Sequence, residues 1–236
     1  MAIELTDGRP WVLLSGTLCT DAVFDGLLDA LGVPSASCRP VALRRPAVED
    51  YLPELRAACL PGAVVCGFSL GALVAAHLAD RLLASQFILF GLNPHADDPA
   101  KREGRLRLAR DVAVTGGAAA LAQRLAPLCG PDPKAARRQI LAMADETADA
   151  IPAQTELALS RPGALESLAQ ARAPVSLFTG TRDAAAPFWM AQDAANVARH
   201  GRAIPLAGLG HYALVEDPAA CAEAVNHHVM QGPDLI

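Results

Sequence analysis

The chain has 236 residues, of which 52% are hydrophobic and 19% charged, which is enough apolar material for the core of one large α/β domain. Its 20 Lys and Arg against 25 Asp and Glu give a formal net charge of −5. A mildly acidic chain without a Lys/Arg cluster argues against nucleic acid or an anionic membrane as its main partner. The basic stretch KREGRLRLAR (101–110) is interpreted as the solvated face of a helix.

Six cysteines occur without a CxxC pair and without the spacing of metal ligands, so we expect free thiols and no metal site. The opening residues, MAIELTDGRP, lack the basic and apolar regions of a secretory signal. No apolar run approaches the roughly 18 residues that a membrane span requires. These features favour a cytoplasmic protein with no membrane span.

Four apolar runs in the first 95 residues predict buried strands, because each is short and bounded by turn residues. They are WVLLSG (11–16), ASCRPVAL (36–43), AVVCG (63–67) and FILFGLN (87–93). The segments between them have helical spacing, with Gly32 and Gly62 as stop signals. These helices are predicted over 20–32, 48–62 and 72–84.

The alternation stops after residue 95, and residues 96–172 predict four or five short helices without a strand. It then resumes with a strand at 174–180, a helix at 188–200, a strand at 203–208 and a last helix at 217–230. Alternating strands and helices predict an α/β fold with a mostly parallel, doubly wound sheet. Residues 1–95 and 173–236 would form this core, and residues 96–172 a helical lid inserted between two strands.

The stretch CGFSLGAL (66–73) holds Ser69 between Gly67 and Gly71, directly after a predicted strand and before a predicted helix. A sharp strand-to-helix turn needs this pattern if it is to hold a serine hydroxyl up for attack. The two glycines make room for the cramped backbone of such a turn. The alternative is an ordinary tight turn whose serine only caps the following helix.

A nucleophilic serine needs a base, and His211 is the best placed of the six histidines. It follows a predicted strand in LAGLGHYALVEDP, and such loops collect the reactive groups of a parallel sheet. Asp183 ends PVSLFTGTRD, also just past a strand, and would orient the imidazole. Glu216 and Asp217 compete for that role, but they begin the final helix, where a carboxylate suits the helix dipole or caps the helix.

An oxyanion hole needs two backbone N–H groups close to the nucleophile. One is assigned to Leu70, which directly follows Ser69, and the other to Thr17 in the loop SGTLC (15–19). Leu18 is the alternative donor in that loop.

The substrate pocket is predicted from apolar side chains next to these loops. They are Leu18, Phe68, Phe188 and Trp189. The Leu, Ala and Met content of residues 96–172 favours an aliphatic pocket rather than an aromatic cage.

The order Ser69, Asp183, His211 resembles that of the α/β-hydrolase fold family. The motifs LLSGTLCTDAVF, GFSLGA and LAGLGHYALVEDP are similar to those of small lidded serine hydrolases, and the resemblance covers nearly the whole chain. Two departures stand out: Ser15-Gly16 replaces the His-Gly of many relatives, and too few residues precede VLLSG for the extra strands with which most relatives begin.

The resemblance implies a serine hydrolase that cleaves a small-molecule ester, thioester or lactone through an acyl-enzyme, with no metal or organic cofactor. Lyases, cyclisation catalysts and C–C bond hydrolases share the fold, so the His–Asp pair could instead serve as a base for one of these reactions. A non-catalytic binding module is the remaining alternative.

Overall fold

The computed structural model describes residues 8–230, and within them six strands form one sheet in the order β2-β1-β3-β4-β5-β6. The strands are β1 (Trp11–Leu14), β2 (Cys38–Val41), β3 (Val64–Phe68), β4 (Gln86–Phe90), β5 (Val175–Gly180) and β6 (Gly201–Leu206). Every neighbouring pair is parallel. The parallel sheet predicted from the alternation of strands and helices is therefore confirmed.

Eleven α-helices accompany the sheet in the same part of the chain. They are α1 (Asp25–Leu31), α2 (Leu52–Ala58), α3 (Leu70–His77), α4 (Arg102–Thr115), α5 (Gly117–Ala122), α6 (Pro133–Glu146), α7 (Ile151–Ser160), α8 (Leu165–Gln170), α9 (Phe188–Val197), α10 (Ala213–Glu216) and α11 (Pro218–Val225). The remaining turns are 3₁₀-helical at Asp21–Phe24, Ser35–Ser37, Val48–Tyr51, Ala79–Arg81, Pro99–Lys101 and Ala148–Ala150, and π-helical at Asn226–Met230.

The sheet is covered on both faces, because side chains along a strand point alternately to opposite sides. In β1, Trp11 and Leu13 join a hydrophobic core with α1 and α11. Val12 and Leu14 join a second core with α2, α3, α8 and α9. All residues of β1, β3, β4 and β5 are buried, which explains why these strands read as continuous apolar runs.

The segment between β4 and β5, residues 96–172, carries helices α4 to α8 and is called the inserted segment below. Its helices contribute Val112, Leu121 and Ile140 to the first core and Leu157 to the second. The inserted segment therefore packs onto the six-stranded sheet and its flanking helices through apolar contacts.

Some element ends differ from the sequence expectation. Helix α3 ends at His77 instead of residue 84, and a 3₁₀ turn at Ala79–Arg81 follows. The chain must turn back early, because the Ser85 N–H and hydroxyl bond to the Ala63 and Gly62 carbonyls beside β3. All six cysteines lie among the described residues and are free thiols. Within residues 8–230, no helix is long and apolar enough to cross a membrane.

Candidate active site

Ser69 occupies the turn between β3 and α3 with φ 52° and ψ −114°, a left-handed conformation that a non-glycine residue adopts only under strain. The flanking glycines allow this turn. A Cβ at Gly67 would lie 2.6 Å from the Ala72 Cα, and one at Gly71 would overlap the Leu14 carbonyl. The pattern Gly-x-Ser-x-Gly therefore has a steric cause here, since the start of α3 packs directly on β1 and β3.

The three predicted catalytic side chains form one chain of hydrogen bonds. The His211 Nε2 lies 3.0 Å from the Ser69 Oγ, and the His211 Nδ1 lies 2.7 Å from the Asp183 Oδ2. The carboxylate of Asp183 accepts a hydrogen bond from the Nδ1–H group, and this tautomer leaves Nε2 without a proton and able to accept the one on Ser69. The Asp183 side chain is 1% exposed and that of His211 is 21% exposed, so the carboxylate is shielded while the imidazole is accessible from the cavity.

The backbone fixes the orientation of Asp183. Its second oxygen, Oδ1, accepts hydrogen bonds from the Ala185 and Ala186 N–H groups, both at 2.8 Å. With Oδ1 held in this way, Oδ2 is directed at the imidazole.

Gly91 makes room for the imidazole directly after β4. A Cβ at this position would lie 3.1 Å from the His211 Cε1, tighter than an ordinary contact, and the φ of Gly91 is +57°. The Phe68 ring lies on another side, with its centroid 5.2 Å from that of His211. The base is therefore enclosed between a glycine backbone and an aromatic ring.

The two competing acids have other roles. Asp217 caps α11 by accepting from the Ala220 N–H at 2.9 Å. Glu216 is buried, and its Oε2 accepts from the Gly210 N–H at 3.0 Å and the Cys129 N–H at 2.8 Å. Glu216 thus ties the loop before His211 to the inserted segment, and neither acid is hydrogen-bonded to His211.

The loop after β1 is braced by a residue that sequence reasoning missed. Gln154 in α7 is buried, and its Oε1 accepts from the Leu18 N–H at 3.0 Å while its Nε2 donates to the Leu43 carbonyl at 3.3 Å. Leu18 has φ +55°, so the loop is strained at this point. Because the Leu18 N–H is occupied, Thr17 is the better placed of the two candidate donors. No local signal marks Gln154, which is one polar residue in a helix 136 positions away.

Ser15 adds a second brace to this loop, since its hydroxyl donates to the Cys19 carbonyl at 2.9 Å. The loop is therefore held on its own side by a serine and from the inserted segment by a glutamine.

Two cavities meet at Ser69. Both are lined by Thr17, Ser69, His211, Arg105 and Ala158. The apolar cavity, of about 200 Å³, is walled mainly by Leu18, Phe68, Leu108, Leu121, Ile151 and Tyr212. The cationic cavity, of about 380 Å³, adds Leu70 and the polar side chains Asn93, Lys101 and Arg161. Helices of the inserted segment thus form walls of both cavities.

Residues 7–224 match the Alpha/beta hydrolase family, which is most of the chain. The protein belongs to this family. A comparison with curated proteins gives no match.

Solved structures share the fold over nearly the whole length. A thermophilic esterase from Thermogutta terrifontis is 20% identical with a TM-score of 0.79, covering 94% of this chain and 89% of its own. The enol-lactonase from Burkholderia xenovorans LB400 is 20% identical with a TM-score of 0.71, covering 93% and 90%. MenH from S. aureus is 15% identical with a TM-score of 0.73, covering 96% and 97%. At such identities the likeness establishes the fold and leaves the reaction open.

Two predicted pocket residues lie outside both cavities of this hydrolase. Phe188 packs against the core that contains α3, and Trp189 is 50% exposed with its ring centroid 5.5 Å from that of His95. Both begin α9, which packs on the sheet below the site. Leu18 and Phe68, in contrast, line the apolar cavity.

The interpretation of the basic stretch 101–110 as a solvated helix face holds for Arg102, Arg107 and Arg110, which are exposed. Lys101 and Arg105 line the cationic cavity, because the start of α4 faces Ser69 across it. Arg161, 56 positions later, joins them there. Among residues 8–230, no three His, Cys, Asp or Glu side chains lie together as metal ligands would.

Proposed function

We propose that the protein is a serine hydrolase that cleaves a carboxylic ester, thioester or lactone through an acyl-enzyme on Ser69. One observation carries the proposal: the hydroxyl, the imidazole and the buried carboxylate are joined end to end by hydrogen bonds of 3.0 and 2.7 Å. A hydroxyl on a strained turn with a base and an oriented acid is the arrangement that nucleophilic acyl transfer requires.

In the first half of the reaction, the Ser69 Oγ attacks the substrate carbonyl carbon while the His211 Nε2 takes the hydroxyl proton. The tetrahedral oxyanion accepts hydrogen bonds from the N–H groups of Leu70 and Thr17. The bond to the leaving group then breaks, and His211 gives its proton to the departing oxygen or sulfur. Asp183 keeps the imidazole in the required tautomer and stabilises the imidazolium.

In the second half, His211 removes a proton from water, which attacks the acyl-enzyme and releases the acid. The serine recovers its proton from the imidazolium. The side chains and backbone groups of this chain account for each proton, so the scheme needs no cofactor.

The inserted segment would act as a lid in this scheme. Leu108, Leu121 and Ile151 come from three of its helices and wall the apolar cavity next to Ser69. A small, aliphatic part of the substrate would bind there, since a cavity of about 200 Å³ holds only a short chain or ring.

The test is a panel of short-chain p-nitrophenyl esters, acyl thioesters and lactones, assayed with the wild-type protein and Ser69→Ala. We expect turnover of at least one class and a loss of about 10⁴-fold or more in the variant. Ser160→Ala is the matched control, since this serine lies at the exposed end of α7 and, within residues 8–230, its hydroxyl bonds only to the Pro46 carbonyl. Wild-type turnover by Ser69→Ala would refute the proposal.

A fluorophosphonate probe separates the proposal from its main rival. In a lyase or cyclisation catalyst, His211 and Asp183 act as the base and Ser69 only positions the substrate, so a protein that is neither labelled at Ser69 nor active on any of the three classes would favour such a reaction.

A further inference from the structure

The cationic cavity carries more positive charge than its neighbours neutralise. Lys101, Arg105 and Arg161 line it together with Ser69 and His211, and no acidic residue does. Asp97 is the carboxylate that pairs with two of the three. It lies 2.8 Å from the Arg105 Nη2 and 3.3 Å from the Arg161 Nη1. Asp183, bonded to His211 beside the cavity, is a second carboxylate, so three cations against two carboxylates leave a formal charge of +1 at the wall of the cavity when the imidazole is neutral.

Arg161 is held rigidly in this wall. Its side chain is 5% exposed, and it donates from Nε to the His95 carbonyl at 3.2 Å and from Nη1 to the Ala158 carbonyl at 2.9 Å. Within residues 8–230, its Nη2 has no hydrogen-bond partner. Burial, together with the nearby charge of Arg105, lowers the pKa of Arg161 to about 10 against the opposing effect of Asp97, so the guanidinium still carries its charge at neutral pH.

Arg105 is more accessible and joins the two cavities. Its side chain is 27% exposed, and Nε and Nη2 face Asp97 at 2.9 and 2.8 Å. In the part of the chain that the structure describes, its Nη1 bonds to no other residue. Lys101 lies one helical turn earlier, is exposed, and makes no ion pair with any residue between 8 and 230. The cavity therefore presents N–H donors that an anion could occupy.

A polar amide completes the wall. The Asn93 Oδ1 accepts from the His95 N–H at 3.0 Å. The NH₂ group of Asn93 therefore points away from His95 and can donate to another partner. Asn93 lines the cationic cavity and not the apolar one. The two cavities at Ser69 thus differ in chemistry, one suited to hydrocarbon and the other to negative charge.

We propose that the cationic cavity binds an anionic group of the substrate, a carboxylate or a phosphate, and that Arg105, Arg161 and Lys101 make the enzyme selective for anionic esters, thioesters or lactones. The inference rests on the proposed hydrolase function. Guanidinium groups match both carboxylate and phosphate oxygens, and a partly buried site makes such contacts stronger than they are in water. The hydrocarbon part of the same substrate would occupy the apolar cavity.

The test compares anionic esters with neutral ones of similar shape. On the acyl side the pair is mono-p-nitrophenyl glutarate and p-nitrophenyl valerate. On the leaving-group side, 4-acetoxybenzoate and 4-acetoxyphenyl phosphate are each compared with phenyl acetate, which separates carboxylate from phosphate. We expect kcat/KM to favour the anion by about tenfold or more in at least one comparison. The preference should shrink as KCl is raised.

Three variants, each lacking one positive charge, test whether the preference for anionic substrates arises in the cationic cavity. Arg105→Gln should reduce the anionic-to-neutral ratio by about tenfold. Lys101→Gln should reduce it by about twofold, because this side chain is exposed. Arg107→Gln is the matched control, since it removes the same charge from the same helix at an exposed position outside both cavities. Its ratio should equal that of the wild type.

Equal rates for anionic and neutral substrates in every comparison would overturn this inference while leaving the hydrolase function intact. So would a preference that Arg105→Gln retains in full. If the wild type turns over no ester at all, the proposed hydrolase function is wrong. The proposed anion site is then tested on its own, by measuring anion binding. Calorimetric titration of Ser69→Ala with glutarate and with inorganic phosphate should then show binding of at least one anion that Ser69→Ala/Arg105→Gln has lost. Absence of binding, or equal binding by both proteins, would overturn the cationic site as well.

Discussion

The six-stranded sheet and the inserted segment contribute to the candidate site in different ways. Ser69, Asp183 and His211 lie on loops that directly follow β3, β5 and β6, so the sheet itself brings them together. Gln154 and Arg161 come from the end of the inserted segment, and each is fixed by its own side-chain hydrogen bonds. The sheet positions the three proposed catalytic side chains. The helices of the inserted segment form the cavity walls around them and supply the charged side chains of those walls.

This difference predicts which step of the proposed reaction a substitution in each region should affect. Substitutions in the sheet loops should affect the bond-breaking step, since they change the nucleophile or its base. Substitutions in the inserted segment should affect the geometry of the oxyanion loop or the choice of substrate.

The largest effect is expected for Asp183→Asn. The Ala185 and Ala186 N–H groups should hold the amide oxygen, which directs the NH₂ group at the His211 Nδ1. The imidazole would then carry its proton on Nε2 and could not accept one from Ser69. We expect kcat for the best ester to fall about 10⁴-fold with little loss of stability.

Asp217→Asn is the matched control for that variant. Asparagine caps helices as well as aspartate does, so both α11 and the activity should be retained. If Asp217→Asn lost as much activity as Asp183→Asn, the assignment of the acid would be wrong.

A smaller effect is expected in the inserted segment for Gln154→Met. Methionine has a similar volume but cannot take the place of the Oε1 that accepts from the Leu18 N–H, so the strained loop that carries the proposed oxyanion donor Thr17 would lose its brace. Loss of a whole oxyanion donor costs about 10²- to 10³-fold. Loosening a donor should cost less, about tenfold in kcat with a minor change in KM.

Gln139→Met controls for the loss of a hydrogen bond between the inserted segment and the core. Gln139 donates to the Ala22 carbonyl at 3.0 Å and lines neither cavity, so its replacement should leave kcat unchanged. A rise in KM without a fall in kcat for Gln154→Met would indicate that Gln154 shapes the substrate pocket instead of the loop that carries the proposed oxyanion donor.

Gly91→Ala tests the packing of the base on the sheet side. The new Cβ would crowd the His211 Cε1 at 3.1 Å, and the φ of +57° would be strained for alanine. We expect kcat to fall roughly tenfold and the free energy of unfolding to fall by about 1–2 kcal/mol. Chemical denaturation and ester kinetics measure the two effects, and an unchanged kcat would show that the imidazole has more room than the structure indicates.

The smallest effect is expected for Gly104→Ala in α4. Apart from its chain neighbours and the backbone of α4 itself, no atom of residues 8–230 lies within 4 Å of the added Cβ, and the residue is exposed within a helix. The substitution should raise the free energy of unfolding by up to about 1 kcal/mol, because alanine favours helix over glycine. A destabilised Gly104→Ala would mean that α4 is packed more tightly than its exposure suggests.

The sequence was informative where chain neighbours determine structure. Gly67 and Gly71 are required by contacts within one strand-turn-helix unit, so the serine motif could be read locally. The loops around Asp183 and His211 follow short apolar strands, and a parallel sheet brings the carboxyl ends of such strands to one edge. The parallel arrangement of the strands and the covering of both sheet faces could be anticipated from the same alternation.

The sequence was uninformative where distant residues meet. Arg105, Arg161 and Asp97 converge from three parts of the inserted segment, and none carries a local motif. The same holds for the pairing of Gln154 with Leu18. Phe188 and Trp189 follow the acid loop closely but begin a helix packed on the sheet, so proximity in the chain placed them too near the pocket.

Covalent labelling of the nucleophile tests the central claim most directly. The wild-type protein and Ser69→Ala would be treated with a fluorophosphonate, followed by intact mass measurement and mapping of the modified peptide. One adduct per chain on the peptide that contains Ser69, and no adduct in Ser69→Ala, is the predicted result. An unmodified wild-type protein, or an adduct that persists in Ser69→Ala, would contradict the account.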